Sequence, residues 1–156
     1  MIKLLSQIPR PSHTHFLLTE TDVTSLPRLP PSLLKNATVH TLPRAREVHQ
    51  SYISSIPTTL NSLLKTLHLL TTLSPPPTLL LTNGPSNAVP LILAYHLLNL
   101  LLPRPRIIYV ESWCRVTSLS MTGKILKKVR GCDWFVAHWE GVGGTGVTVI
   151  ENLFMG

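Results

Sequence analysis

Two short stretches carry residues whose types and spacing suit chemistry on a phosphorylated ligand. The first is Thr82-Asn83-Gly84-Pro85-Ser86-Asn87, where an apolar run ends in a turn and a second apolar run begins at Ala88. Gly84 permits a tight bend, and the amides from Ser86 to Val89, at the start of a helix, suit an anion held with the help of the helix dipole. Asn-Gly-Pro is equally an ordinary turn, so both readings stand at this point. The second stretch begins at Glu111-Ser112 and continues through Arg115 to Gly123-Lys124. Glu111 directly follows an apolar run and Arg115 comes four residues later, so the pair either reaches a ligand or forms an ion pair that holds the loop. No paired carboxylates, serine triad or Walker lysine accompany them, and no self-contained active site is visible.

The elements that must position these residues follow from periodicity. His15–Leu18, Thr78–Thr82, Arg106–Val110 and Trp134–His138 are short, apolar and bounded by turn or polar residues, which predicts strands. Three of them lack alternation, as parallel strands buried on both faces do. Leu60, Leu63, Leu64, Leu67 and Leu70 fall at steps of three and four and predict one stripe of an amphipathic helix. The preceding Arg44–Ile56 stretch reads as an earlier helical segment, with Pro57 as a kink or join. Ala88–Leu101 is apolar nearly all round, with Asn87 as its expected cap and Pro90 in its first turn; such a helix is either central to the packing or faces lipid. A further helix is expected from Thr122 to Arg130, stopped by Gly131 as a left-handed cap. Its Lys124, Lys127 and Lys128 share one face, either a solvated one or one apposed to anionic lipid or phosphate. Strands alternating with helices predict an α/β fold, a mostly parallel Rossmann-like sheet with flanking helices. In such sheets ligands bind beyond the carboxyl ends of the strands, where both chemical stretches lie.

Composition bounds the partners. The 156 residues are 44% hydrophobic and 13% charged, which excludes a disordered tail. Fourteen Lys and Arg against seven Asp and Glu give a formal charge of +7, favouring polyanionic partners. Fourteen prolines, clustered at 27–31, 75–77 and 103–105, divide the chain into units. Cys114 and Cys132 form no CxxC pair, and neither His13 with His15 nor Arg44, Arg46 and His49 makes a metal signature; no disulfide scaffold and no metal site is expected, and a reducing compartment fits best. The apolar stretch 88–102, interrupted by Pro90, His96 and Asn99, falls short of the roughly 20 residues that cross a bilayer. Residues 1–11 have too short an apolar run for a signal peptide.

Four segments stand together in one order: Thr19–Asp22 (TETD), Pro43–Ile56 (PRAREVHQSYISSI), Thr82–Leu91 (TNGPSNAVPL) and Tyr109–Leu126 (YVESWCRVTSLSMTGKIL). Over about Met1–Glu140 the chain resembles the Alg14-like proteins of asparagine-linked glycosylation. The resemblance implies the acceptor half of a split GT-B glycosyltransferase, residues 1–140 forming the Rossmann-like domain and 141–156 a divergent tail. It implies a subunit of a UDP-GlcNAc transferase that adds the second GlcNAc to GlcNAc-diphospho-dolichol on the cytosolic face of the endoplasmic reticulum membrane. The enzyme is then non-autonomous: a small Alg13-type catalytic subunit binds most of the donor UDP-GlcNAc, and no other cofactor is implied. Asn83, Gly84 and Pro85 match the family's NGP turn, with Ser86 where a glycine usually follows; Glu111, Ser112, Arg115, Gly123 and Lys124 match its second motif. On this reading Asn83, Gly84, Pro85, Ser86, Ser112, Arg115, Gly123 and Lys124 are the acceptor- and phosphate-binding candidates, Glu111 and Arg115 order the cleft wall, and Glu111 is also the candidate catalytic base, a role that needs its carboxylate within about 3 Å of the acceptor hydroxyl. Arg44, Glu47 and Tyr52 match the PRxREVxQSY stretch and either touch ligand or brace the fold. The resemblance also implies that the family's membrane helix, first strand and glycine-rich GSGGHT-type loop stand ahead of the part matched here.

Two other classes remain. One is a non-catalytic membrane-associated scaffold, a paralogue that keeps the fold without the site. The other, a nucleic-acid binder, has only the charge in its favour and no RRM, KH or zinc-finger pattern, so no nucleic acid is expected. The glycine-rich Gly143-Gly144-Thr145-Gly146 segment does not form GxGxxG and reads as a turn before an apolar run.

Overall fold

A computed structural model describes residues 12–47, 50–51, 53–83 and 87–149. The elements run β1 (Thr14–Thr19), a 3-10 turn (Leu26–Arg28), α1 (Pro31–Leu34), β2 (Ala37–Leu42), α2 (Ser55–Thr72), β3 (Leu79–Thr82), α3 (Ala88–Leu98), β4 (Arg106–Val110), α4 (Met121–Lys128), β5 (Trp134–Ala137) and β6 (Thr148–Val149). All strand pairs are parallel, in a two-stranded sheet β1-β2 and a four-stranded sheet β3-β4-β5-β6. The fold is the expected α/β, Rossmann-like arrangement. Each of the four expected strands is present to within a residue at either end. β2 and β6 were not expected: Ala37–Leu42 mixes apolar and polar residues with His40 and Thr41 side by side and stays half exposed, and β6 is two residues long.

The helices depart further from expectation. Arg44–Glu47 and Gln50–Ser51 are not helical; α2 begins only at Ser55. Pro57 neither kinks nor joins anything, because it lies in the first turn of α2, where a missing amide is harmless. The buried face of α2 is Ser55, Ser62, Thr66 and Leu70, while Leu60 and Leu64 are 53% and 58% exposed. Leu63 and Leu67 are only partly buried, packed against the cluster that Leu70 and Leu73 form with Leu91, Ala94 and Tyr95 of α3. Thr66 satisfies its hydroxyl by donating to the Ser62 carbonyl at 2.7 Å. α3 is the central packing helix of the two alternatives: Leu91, Ala94 and Tyr95 meet Leu70 and Leu73 of the α2 side, whereas Ala88 and Ile92 join Ile107, Tyr109, Phe135 and Leu126 in the main core.

α4 starts one residue before the expected Thr122, capped by Ser120, whose hydroxyl accepts the Gly123 amide at 3.0 Å. It ends in a Schellman turn: the Gly131 amide donates to the Leu126 carbonyl and the Arg130 amide to that of Lys127. The residue with positive φ there is Arg130 (φ 49°) and not the expected Gly131. Beyond β5 the chain turns through glycines with positive φ, returns Val142 to the core and reaches β6, so part of the 141–156 segment completes the sheet.

The two sheets share no ladder. The Thr14 amide donates to Asn36 and that of Glu20 to Leu42, so the even residues of β1 address β2 while His15, Leu17 and Thr19 turn their amides the other way. The Arg106 amide donates to Thr78, which likewise leaves Leu79 and Leu81 on the edge of β3 away from β4. These two edges, one on β1 and one on β3, are unpaired among the described residues. Side chains link the sheets instead: Leu17 and Leu80 pack on one cluster, and His15 Nε2 donates to the Pro75 carbonyl at 3.1 Å. That bond leaves His15 Nδ1 to accept from His40 Nε2 at 3.2 Å.

Candidate functional site

The carboxyl ends of β3, β4 and β5 open onto a cavity of about 780 Å³ lined by Asn83, Tyr109, Glu111, Ser112, Trp113, Arg115, Ser120 and His138, among others. The strands place these residues by register. Continuous apolar runs bury β4 and β5, and the first polar residue after each, Glu111 and His138, is delivered to the rim.

Glu111 is 2% exposed. One carboxylate oxygen, Oε1, accepts the Ser112 amide at 2.8 Å and faces the Tyr109 hydroxyl at 3.4 Å. The other, Oε2, accepts the Ser120 amide at 2.9 Å and the Ser120 hydroxyl at 3.0 Å. The carboxylate therefore ties the end of β4 to the start of α4 and closes the 111–120 loop. Gly123 is the reason it fits: a Cβ there would collide with Glu111 Oε2. Arg115 forms no ion pair with Glu111; it is exposed, lines the cavity, and its amide donates to the Ser112 carbonyl at 3.0 Å. Burial, eased by the bond with Ser120 and reinforced by the Glu111 charge, pushes the Tyr109 phenol up to about 12, so it stays a donor at neutral pH. Burial also holds the His138 imidazole below its ordinary range, against an opposing hydrogen bond to the Glu111 backbone, and keeps the ring neutral at pH 7.

Of the predicted site residues, Asn83, Glu111, Ser112 and Arg115 come together. Gly123 and Lys124 do not line the cavity: the Gly123 amide is used in the cap of α4, and Lys124 is exposed on that helix. Gly84, Pro85, Ser86 and Tyr52 lie outside the described residues. Arg44 and Glu47 form an exposed pair at 3.8 Å in a loop held by its own bonds, Arg46 to the Gln50 carbonyl and the Glu47 amide to Gln50 Oε1. This bracing centres on Asn87. Its side chain makes no cap for α3; it accepts from the Ala45 amide at 2.9 Å and donates to the Pro43 carbonyl at 3.0 Å, clamping Pro43 and Ala45 to the start of α3. Thr58 and Thr59 add hydroxyl bonds to the Ala45 carbonyl, each 2.9 Å.

Sequence reading missed Trp113, Ser120 and His138. Ser120 had a usable signal, a serine three residues before Gly123 at a helix start. His138 was read as the last strand residue, not as the residue that β5 presents beyond its end. Among the described residues no group of three or more His, Cys, Asp or Glu side chains is placed to hold a metal ion, and no helix is long and apolar enough to cross a membrane.

Comparison with known proteins gives the family. The family described as "Oligosaccharide biosynthesis protein Alg14 like" matches residues 1–145. The chain belongs to this family. Similar members include the UDP-N-acetylglucosamine transferase subunit ALG14 of Homo sapiens, 35% identical over 140 residues that cover 82% of this chain and 63% of the relative. The Mus musculus subunit of the same name is 41% identical over 102 residues, 65% of this chain and 45% of the relative. That of Candida albicans is 44% identical over 100 residues, 64% of this chain and 44% of the relative. The chain thus spans less than two thirds of the length of these Alg14-like relatives. No solved structure matches it.

Proposed function

We propose that this chain is the acceptor-side part of a two-subunit UDP-GlcNAc transferase, non-autonomous and completed by a small Alg13-type subunit that binds the donor. The observation that carries the reading is the cavity beyond β3, β4 and β5, where an exposed guanidinium (Arg115), an amide side chain (Asn83) and a hydroxyl (Ser112) surround a space large enough for a sugar diphosphate. The relatives' names supply the reaction class. In this reading the acceptor is GlcNAc-diphospho-dolichol, Arg115 and Asn83 hold its diphosphate together with Gly84, Pro85 and Ser86, and the two subunits form a GT-B cleft. Glu111, with its oxygens engaged by Ser112, Ser120 and Tyr109, acts by holding the loop that carries Ser112 and Arg115 rather than by taking a proton.

A place at the cytosolic face of the endoplasmic reticulum membrane is supported by the surface. α2 leaves Ile56, Leu60 and Leu64 exposed, α3 leaves Leu93 and Leu97 exposed with Leu100 and Leu101 beyond it, and neither helix has an acidic residue. Reconstitution with the donor-binding subunit and a GlcNAc-diphosphate lipid tests the whole. GlcNAc transfer that needs both chains and falls at least tenfold in Arg115→Ala supports it. Complex formation without transfer, or glycosylation indifferent to Arg115→Ala and Asn83→Ala, favours the scaffold reading instead.

A further inference from the structure

The aromatic side chain at the mouth of the cavity has no part in the phosphate reading above. Trp113 follows Ser112 in the loop after β4 and is 39% exposed. It is held from two sides: the Trp139 ring lies 5.0 Å away at 58° and the His138 ring 5.0 Å away at 51°. The Trp139 indole N–H donates to the Trp113 carbonyl at 2.8 Å, which fixes the backbone under the ring. Such an indole is preorganised, and an occupant that covers it gains apolar burial without the entropy of ordering a loose side chain.

Trp113 and Arg115 lie two residues apart in one loop and line the same cavity with Asn83 and Ser112. An apolar face next to a cation and hydrogen-bonding groups matches a ligand with the same division. A pyranose linked to a diphosphate has it: its axial C–H bonds form an apolar face, its rim is polar, and its anomeric substituent is anionic. The geometry points to Trp113 as a sugar platform, a positioning surface on which the pyranose of a glycosyl diphosphate stacks while Arg115 meets the phosphates. This rests on the acceptor reading above and extends it to the sugar.

Two soluble probes separate the parts: methyl diphosphate, and the methyl ester of GlcNAc diphosphate. Calorimetric titration of the full chain is expected to show the sugar-bearing probe binding roughly tenfold tighter. In Trp113→Ala that preference falls to within about twofold while methyl diphosphate binds as before; Trp113→Phe keeps most of the preference. Unchanged binding of methyl diphosphate to Trp113→Ala doubles as the check that the variant is folded. Equal loss for both probes, or a preference that survives in Trp113→Ala, overturns the platform. A Trp113→Ala loss confined to UMP as a third probe overturns it too, since the indole would then stack a nucleobase. If wild type binds the sugar-bearing probe but not methyl diphosphate, the phosphate reading falls and the platform stands; if it binds neither, both fall.

Discussion

Glu111 and Gly123 act as a pair although they stand twelve positions apart in the chain. The carboxylate occupies the space in which any other residue at 123 would put its Cβ, and its oxygens collect the amide and hydroxyl of Ser120 and the amide of Ser112. Glu111→Gln turns an NH2 toward donors and is expected to cost about 2–4 kcal/mol. Gly123→Ala is expected to cost a similar amount, about 2–4 kcal/mol, because the clash is with a fixed carboxylate. Glu111→Ala with Gly123→Ala should cost less than the sum of the single changes, and urea denaturation of the four proteins measures the difference. Arg130 gives the opposite sign: at φ 49° it is a non-glycine residue in left-handed geometry, so Arg130→Gly should add about 1 kcal/mol and raise Tm by about 2–4 °C in a thermal melt. At this scale Asn83, Glu111 and Arg115 were legible as residues beyond strand ends, because each follows an apolar run, whereas Ser112 came only from the resemblance; the structure brings the four to one cavity. Not legible were Trp113, Ser120 and His138, whose significance comes from one another and from Glu111 across the fold.

At the scale of elements, legibility followed apolar continuity. β3, β4 and β5 come from short continuous apolar runs, which suit strands whether buried, as most of β4 and β5, or half-buried, as β3. β2 carries His40 and Thr41 among its apolar residues and gave no such signal. The orientation of α2 differs from the leucine stripe for a physical reason: its buried face is made by Ser55, Ser62, Thr66 and Leu70, while Leu60 and Leu64 are exposed. Leu70→Ala should therefore cost about 2–5 kcal/mol, and Leu60→Ala little, in the same denaturation assay. The pattern of Arg44–Ile56 suggests helix throughout, but only Ser55 and Ile56 are helical among its described residues, while Arg46, Glu47 and Gln50 bond to one another and Ala45 to Asn87. Asn87→Ala removes bonds to Pro43 and Ala45 but no helix cap. It should destabilise by about 1–2 kcal/mol and speed hydrogen exchange at Ala45, with far-UV circular dichroism of the helices unchanged.

The whole molecule responds to acid in two stages. His40 and His138 both have folded pKa values below 6.5, chiefly through burial, with His15 and His13 adding to the effect at His40. The unfolded chain thus takes up their protons more readily than the folded one, so their contribution to stability is present above pH 6.5 and is lost as pH falls below it. Asp133 has a lowered pKa: burial alone would raise it, but the Ile107 amide and Arg104 outweigh that, and Asp22 is lowered by its bonds to Ser25 and Thr24. Their contribution is present above pH 3.8 and goes only as pH falls through the folded values beneath it. Urea midpoints measured from pH 8 to 5 should fall in wild type and fall less in His40→Gln.

The edges of β1 and β3 that have no strand partner among the described residues have a consequence for handling the protein. Neither Thr14–Thr19 nor Leu79–Thr82 contains a proline or a formally charged residue, the devices that usually blunt an exposed strand. Their outward amides and carbonyls are a template for any extended chain nearby, including the same strands of another copy. Colloidal behaviour should therefore depend on concentration: clear when dilute, and turning to β-rich aggregates when concentrated, even where every molecule is fully folded.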